Sequence, residues 1–193
     1  MKRWFAVLLA AAMLLTLGGC GEAKVTGLER FQDESGAFVC PGLAWGMTLE
    51  EAEAAGGWTL DKAVIVSDED VTYEVRDVSY GGEDWVLQLQ FLHDGGLWCV
   101  SLLQTDDASS MGKLFDSMND ALTALYGEPD RAEYDAVRQR QSGGQLLCSE
   151  AGWEAEDAAV PSRLGLQVVR PEGREDASLG LVVMCLSGLE NAE

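Results

Sequence analysis

The sequence predicts an α+β domain: an antiparallel sheet with a short and a long helix packed on one face. Three observations predict it. Thr48-Leu-Glu-Glu51 marks a helix start that Gly56-Gly57 releases two turns later. Residues from Met111 to Tyr126 carry apolar side chains at three- and four-residue spacings. Alternating runs flank both helices, most clearly Trp85–Phe91 and Leu97–Leu103 around His93-Asp94-Gly95-Gly96. Helices interrupted by antiparallel runs, without regular strand–helix–strand units, indicate α+β. The order helix, strands, helix, strands further predicts two related helix-plus-meander halves, 41–105 and 109–188.

The chain opens with Lys2 and Arg3, followed by an apolar run from Trp4 to Leu17. That run is short for a bilayer span and stops at small residues, the pattern of a cleaved export signal over residues 1–19. Leu17-Gly18-Gly19-Cys20 resembles the lipobox of bacterial lipoproteins. The resemblance implies that Cys20 is lipidated after cleavage and anchors the chain to a membrane. Residues 20–37 are then expected to hold the lipidated cysteine and a polar tether, 38–188 the domain, and 189–193 a tail.

Within the domain, Thr48 and Glu51 are placed to form a reciprocal capping box. The helix they start is too short to be stable without packing. Val71, Tyr73 and Val75 alternate, and Val78 and Tyr80 continue on the opposite phase, so a bulge is expected near Arg76-Asp77. Trp85, Leu87, Leu89 and Phe91 form one strand face, and Leu97–Leu103 returns antiparallel. The second helix shows one stripe: Met111, Leu114, Phe115, Met118, Ala121, Leu122, Leu125 and Tyr126. Ser109 or Ser110 is expected to cap it, with Asp106 and Asp107 near its positive end; Gly127 and Pro129 close it. Further strands are expected near 131–138, 145–154, 163–170 and 178–186.

Trp45-Gly46-Met47-Thr48, Glu50-Glu51, Gly56, Trp85, Phe91, Asp94-Gly95, Leu97 and Val100 resemble the small lipoprotein domain of the BamE (SmpA/OmlA) type, over roughly residues 41–103. Tyr126-Gly127-Glu128-Pro129 repeats the helix-exit signal. A tandem version of this layout is similar to the beta-lactamase-inhibitory-protein fold, whose two halves share a curved sheet that binds proteins. The resemblance implies a binding or scaffold role. The first helix exit, Gly56-Gly57-Trp58, lacks the proline usual in that family. The matching residues are caps and turns, which carry fold rather than activity.

The formal net charge is −20, and removal of Lys2 and Arg3 makes it more negative still. Such a surface repels nucleic acid and anionic lipid headgroups. With Cys20 set aside, Cys40, Cys99, Cys148 and Cys185 permit disulfides whose pairing the sequence leaves open. No catalytic set is found and the chain is read as a non-enzyme. His93 is the only histidine and sits in a turn, Ser110-Met-Gly-Lys113 fits a helix start, and Ser67-Asp-Glu-Asp70 lacks the glycine and distal glutamate of a calcium loop. No metal or cofactor is implied. Trp85 and Trp98 flank one hairpin turn and are the candidate partner-binding residues, since an aromatic side chain on an open sheet face is a binding platform. The expected function is a membrane-anchored, extracytoplasmic protein-binding or scaffold lipoprotein of the cell envelope. The alternatives are a carboxylate-dependent envelope hydrolase and a ligand-binding lipoprotein.

Overall fold

A computed structural model describes residues 27–60, 62–80, 83–93, 95–134, 138–139 and 145–188. The expected export signal over residues 1–19, Cys20, Asp94 and the tail 189–193 lie outside these residues. The α+β expectation is met. Helix α1 (Leu49–Gly56) precedes β1 (Ala63–Val66), β2 (Asp70–Tyr80), β3 (Glu83–Leu92) and β4 (Gly96–Asp107). Helix α2 (Ala108–Tyr126) precedes β5 (Arg131–Glu133), β6 (Arg138–Gln139), β7 (Gln145–Ala155), β8 (Ser162–Pro171) and β9 (Asp176–Cys185). Among the described residues these nine strands form one antiparallel sheet in the order β1-β2-β3-β4-β9-β8-β7-β5, with β6 paired to β7 beside β5. The first meander therefore runs inward from one edge and the second runs inward from the other. They meet where β4 pairs with β9.

The alternation read in β3 sets the core. Trp85, Leu87, Leu89 and Phe91 are all buried on one face. Their neighbours on that face include Val100 and Leu102 of β4, Leu181 and Val183 of β9, and Leu164 and Leu166 of β8. Helix α2 lies across β4, β8 and β9 and buries Met111, Phe115, Met118 and Leu122, a three-and-four stripe. Leu125, expected on the same stripe, is exposed near the last turn. Helix α1 has the capping box: the Thr48 hydroxyl accepts from the Glu51 amide, and the Glu51 carboxylate accepts from the Thr48 amide. Gly57 ends it in the left-handed region, at φ 67°, where a side chain is strained.

The bulge in β2 falls where the phase change put it. Pairing shifts between Val75 and Val78, and Asp77 takes φ 59°. A second irregularity sits in β4, where Gln90 faces Cys99 and Phe91 faces Leu97, so Trp98 is the extra residue. At the same hairpin, Gly96 has φ 80°, and a Cβ there would stand 2.4 Å from the Gly46 carbonyl oxygen. Strand β1 has no period-two pattern, only four consecutive apolar residues, and sequence reading did not find it.

The expected tether is corrected from Gly27 onward. Leu28–Phe31 forms a 3-10 turn that buries both Leu28 and Phe31, and Ala37 is buried too. A polar stretch with apolar residues three apart leaves no long period to detect, yet one tight turn aims both inward. The hydroxyls of Tyr80 and Tyr126 donate to the carbonyls of Gly27 and Leu28. Phe31 stacks edge-on against Tyr80, and Phe38 against Tyr126, each with centroids 5.2 Å apart. Asp33 closes the following loop by accepting from Ser35 and Ala37. This segment thus lies over the helix-covered side as part of the core.

If Phe31 belongs to the core, Phe31→Ala costs roughly 3–5 kcal/mol of stability, as buried aromatic truncations do. Chemical denaturation of the full chain measures it. A cost under about 1 kcal/mol would return this segment to the status of a tether.

Candidate functional site on the open sheet face

One hydrophobic cluster contains both helices and one sheet face. The opposite face carries no helix among the described residues, and the cross-strand register fixes what it displays. One row reads Ser101, Val182, Gly165, Gly152, Arg131 across β4, β9, β8, β7 and β5. On one side of it runs Met184, Arg163, Glu154; on the other, Gly180, Gln167, Glu150, Glu133. Residues two apart on a strand are about 7 Å apart. The glycine row is therefore a trough roughly one side chain wide, walled by long polar residues. A cavity of about 320 Å³ opens there, lined by Arg131, Glu150, Gly152, Arg163, Gly165, Gln167, Val182 and Met184 among others.

Neither Gly152 nor Gly165 has a positive φ, and a Cβ at either would meet only backbone oxygen at 3.8 Å, an ordinary contact. The backbone therefore does not demand glycine. Glycine in a strand interior weakens it and leaves no side chain to pack, and it marks places where another group approaches closely. Gly180 differs, because the Leu103 and Gln167 side chains already fold over it.

The walls are charged but internally matched. Arg163 pairs with Glu154, and Arg131 pairs with Glu150 at 3.5 Å. The Arg163 Nε–H is buried and has no acceptor among the described residues. A buried donor left unmet costs about 1–3 kcal/mol, so an acceptor placed in the trough would relieve it.

The structure separates the two candidate tryptophans. Trp85 is 2 % exposed and packs in the core, with its indole N–H donating to the Tyr80 carbonyl, so it is withdrawn as a surface contact. Alternation alone could not show which sheet face is covered. Trp98 is half-buried at the β4 bulge, and its indole N–H is buried without an acceptor among the described residues. The trough residues were missed at the sequence level. The signal was Gly152 and Gly165 inside alternating apolar runs, but only the register makes them neighbours.

The other candidates have structural employment. His93 Nε2 lies 3.0 Å from the Ser67 carbonyl, and its backbone amide donates to Glu69, tying two turns together. Beside it an open crevice of about 590 Å³ is lined by Thr48, Leu49, Tyr73, Phe91 and His93 among others. The Ser67 hydroxyl is engaged with Asp70 within its own turn. Cys40, Cys99, Cys148 and Cys185 are all free thiols. Burial pushes the Cys40 and Cys99 thiols up to about 12, which leaves them protonated and unreactive. Among the described residues no three His, Cys, Asp or Glu side chains gather as a metal site. No helix among them is long and apolar enough to cross a membrane.

The expected serine cap of α2 is corrected to Asp107. Its carboxylate accepts from the Ser109 and Ser110 amides, and the Ser110 hydroxyl donates to it at 2.6 Å. A carboxylate at the helix start satisfies two orphan donors and meets the positive end of the dipole, which a serine does less well. Ser110, in the serine–lysine spacing noted above, is thereby committed to the cap.

No protein family, curated protein or solved structure matches this chain.

The hydrogen bond from Ser110, and those from the backbone amides, hold the Asp107 carboxyl below its ordinary value of 3.8. A folded pKa below the unfolded one gives stability that is present above 3.8 and lost as pH falls through the folded value. Asp107→Ala therefore lowers the urea midpoint at neutral pH, and the gap from the unaltered chain narrows on acidification. Ser110→Ala, which keeps the two amide bonds, lowers it less. Equal losses for the two variants at neutral pH would show that the carboxylate is not the cap.

Proposed function

We propose that this chain is a membrane-anchored, extracytoplasmic lipoprotein of the cell envelope that holds a protein partner on the open face of its sheet. The anchoring part of the reading rests on Lys2, Arg3, the apolar run to Leu17 and Leu17-Gly18-Gly19-Cys20. The likeness of its helix and hairpin signals to BamE-type and beta-lactamase-inhibitory-protein-like domains belongs to the same proposal. The observation that carries the binding part is the trough: two glycines paired across β7 and β8 with no backbone need for them, on a face no described helix covers. A surface with that floor admits an extended segment of a partner close to the sheet. The charge of −20 favours a partner that is neutral or basic overall.

Crosslinking and capture of the full chain from its own membranes tests this, with Cys20→Ser and Gly165→Trp for comparison. Space above Gly165 is open, so tryptophan there fills the trough without disturbing the strand. The expected result is one reproducible envelope protein, lost with Cys20→Ser and reduced about tenfold, or 1.4 kcal/mol, with Gly165→Trp. Capture indifferent to Gly165→Trp would move the site elsewhere. No partner, together with turnover of an envelope glycan or peptide by the purified chain, would replace this reading with a hydrolase.

A further inference from the structure

Gly165 of β8 and Gly152 of β7 are paired in register, so their Cα atoms stand about 5 Å apart on the open face. Where a Cβ would stand at either, a single backbone oxygen lies within 4 Å. Two side-chain columns are therefore vacant side by side. The Gly165 column is the more open, since Gly152 is buried between its neighbours. Within sheets, an aromatic side chain on a neighbouring strand restores the contacts that a glycine lacks. Here the neighbour of Gly165 on β9 is Val182, and among the described residues no aromatic side chain lines the trough.

We propose that this glycine pair is the seat for one aromatic side chain of a partner, laid flat over Gly165 with its far edge toward Gly152. The proposal rests on the reading of the trough as a docking place, and it adds which side chain enters. Shape makes the first selection. The vacancy is two columns broad across the strands, one row wide along them, and shallow. A planar ring covers that floor, whereas a branched aliphatic side chain fills one column and leaves the other bare.

The surroundings make the second. One wall is the ion pair of Arg163 with Glu154, and the Arg163 side chain is only 29 % exposed. A planar, weakly hydrated guanidinium attracts the electron-rich face of a ring. On the β9 side stand Val182 and Met184, and a thioether sulfur packs favourably at a ring edge. A charged side chain has no such match, because Arg163 and Arg131 already face carboxylates. A ring also loses little rotational freedom when it is seated.

NMR titration of the purified full chain with N-acetyl-tyrosinamide tests the seat, with N-acetyl-leucinamide as the aliphatic comparison. A ring stacked on a glycine shields its α-protons. The Gly165 α-proton resonances, identified by their loss in Gly165→Val, are therefore expected to move upfield with the tyrosine amide and not with the leucine amide. The tyrosine amide is expected to bind about fivefold more tightly, the size of one aromatic contact beyond its buried area. Gly165→Val fills the vacant column and is expected to weaken the tyrosine amide about tenfold, while its urea midpoint stays level or rises, since valine suits a strand interior better than glycine. Gly152→Val narrows the same seat from its other column and weakens binding by a smaller factor. Equal binding of the two amides, binding of neither, or binding that leaves the Gly165 resonances in place would each overturn the proposal. The capture experiment fails separately. A partner lost with Gly165→Trp, beside amides that do not bind, keeps the docking reading and sinks the aromatic seat. Upfield Gly165 shifts with no captured partner keep the seat and sink the docking reading.

Discussion

The pairing of β4 with β9 is the contact on which the rest of the molecule depends. It runs over nine residue pairs, from Cys99 with Met184 to Asp107 with Asp176, and joins strands that belong to different halves of the chain. Each meander alone is a sheet of four or five strands with one short or one long helix. Joined, they share a single core in which Val100 and Leu102 sit beside Val183 and Leu181. Such a ladder closes a long loop, so its entropic cost must be recovered by the apolar rows it brings into line. Helix α2 recovers much of it, lying over β4, β8 and β9 at the seam. The N-terminal turn and the two tyrosines fasten a further piece of chain on the same side.

The two α-helices among the described residues both lie on one face of the nine-strand sheet, and this asymmetry leaves the other face open among those residues. What the open face carries is then a matter of register. Gly152 and Gly165 are thirteen residues apart in sequence and directly opposed in the sheet. Arg163 and Arg131 reach acids on adjacent strands, so the trough is flanked by charge without a large local excess. The seam also fixes the edges. Because the halves meet through β4 and β9, their outermost strands are β1 and β5, both short. Short edges limit unwanted pairing, and the apolar β1 departs from that rule.

Much of this was legible from local chemistry. Thr48 with Glu51 told where α1 starts, Gly57 where it stops, and the phase change after Val75 placed a bulge within a residue or two. Period-two and helical patterns worked wherever one side of an element meets water. They failed where that contrast is missing. Ala63–Val66 is too short and uniformly apolar to show a period, and Leu28 and Phe31 are two anchors in a polar stretch. Asp107 was read as a charge near a dipole, when it is the cap itself. The face on which Trp85 lies could not be read from β3 alone, because an alternating strand labels two faces without saying which is inside. The trough was invisible for a different reason: it is made by pairing across five strands, and no stretch of sequence contains it.

The chemistry of the trough narrows what fits it under the proposed reading. Its arginines already have carboxylate partners, so a ligand that brings charge must compete with those pairs and lose its own hydration. Its floor offers glycine backbone, and beside it lie the apolar Val182 and Met184. Its unmet polar atom is a donor, the Nε–H of Arg163. A carbonyl oxygen satisfies a donor without adding charge, and a chain of carbonyls with small or apolar side chains is an extended peptide segment. The trough is therefore better matched to a neutral, extended stretch of polypeptide than to a compact anion or a folded convex surface, which could not reach a floor one side chain wide.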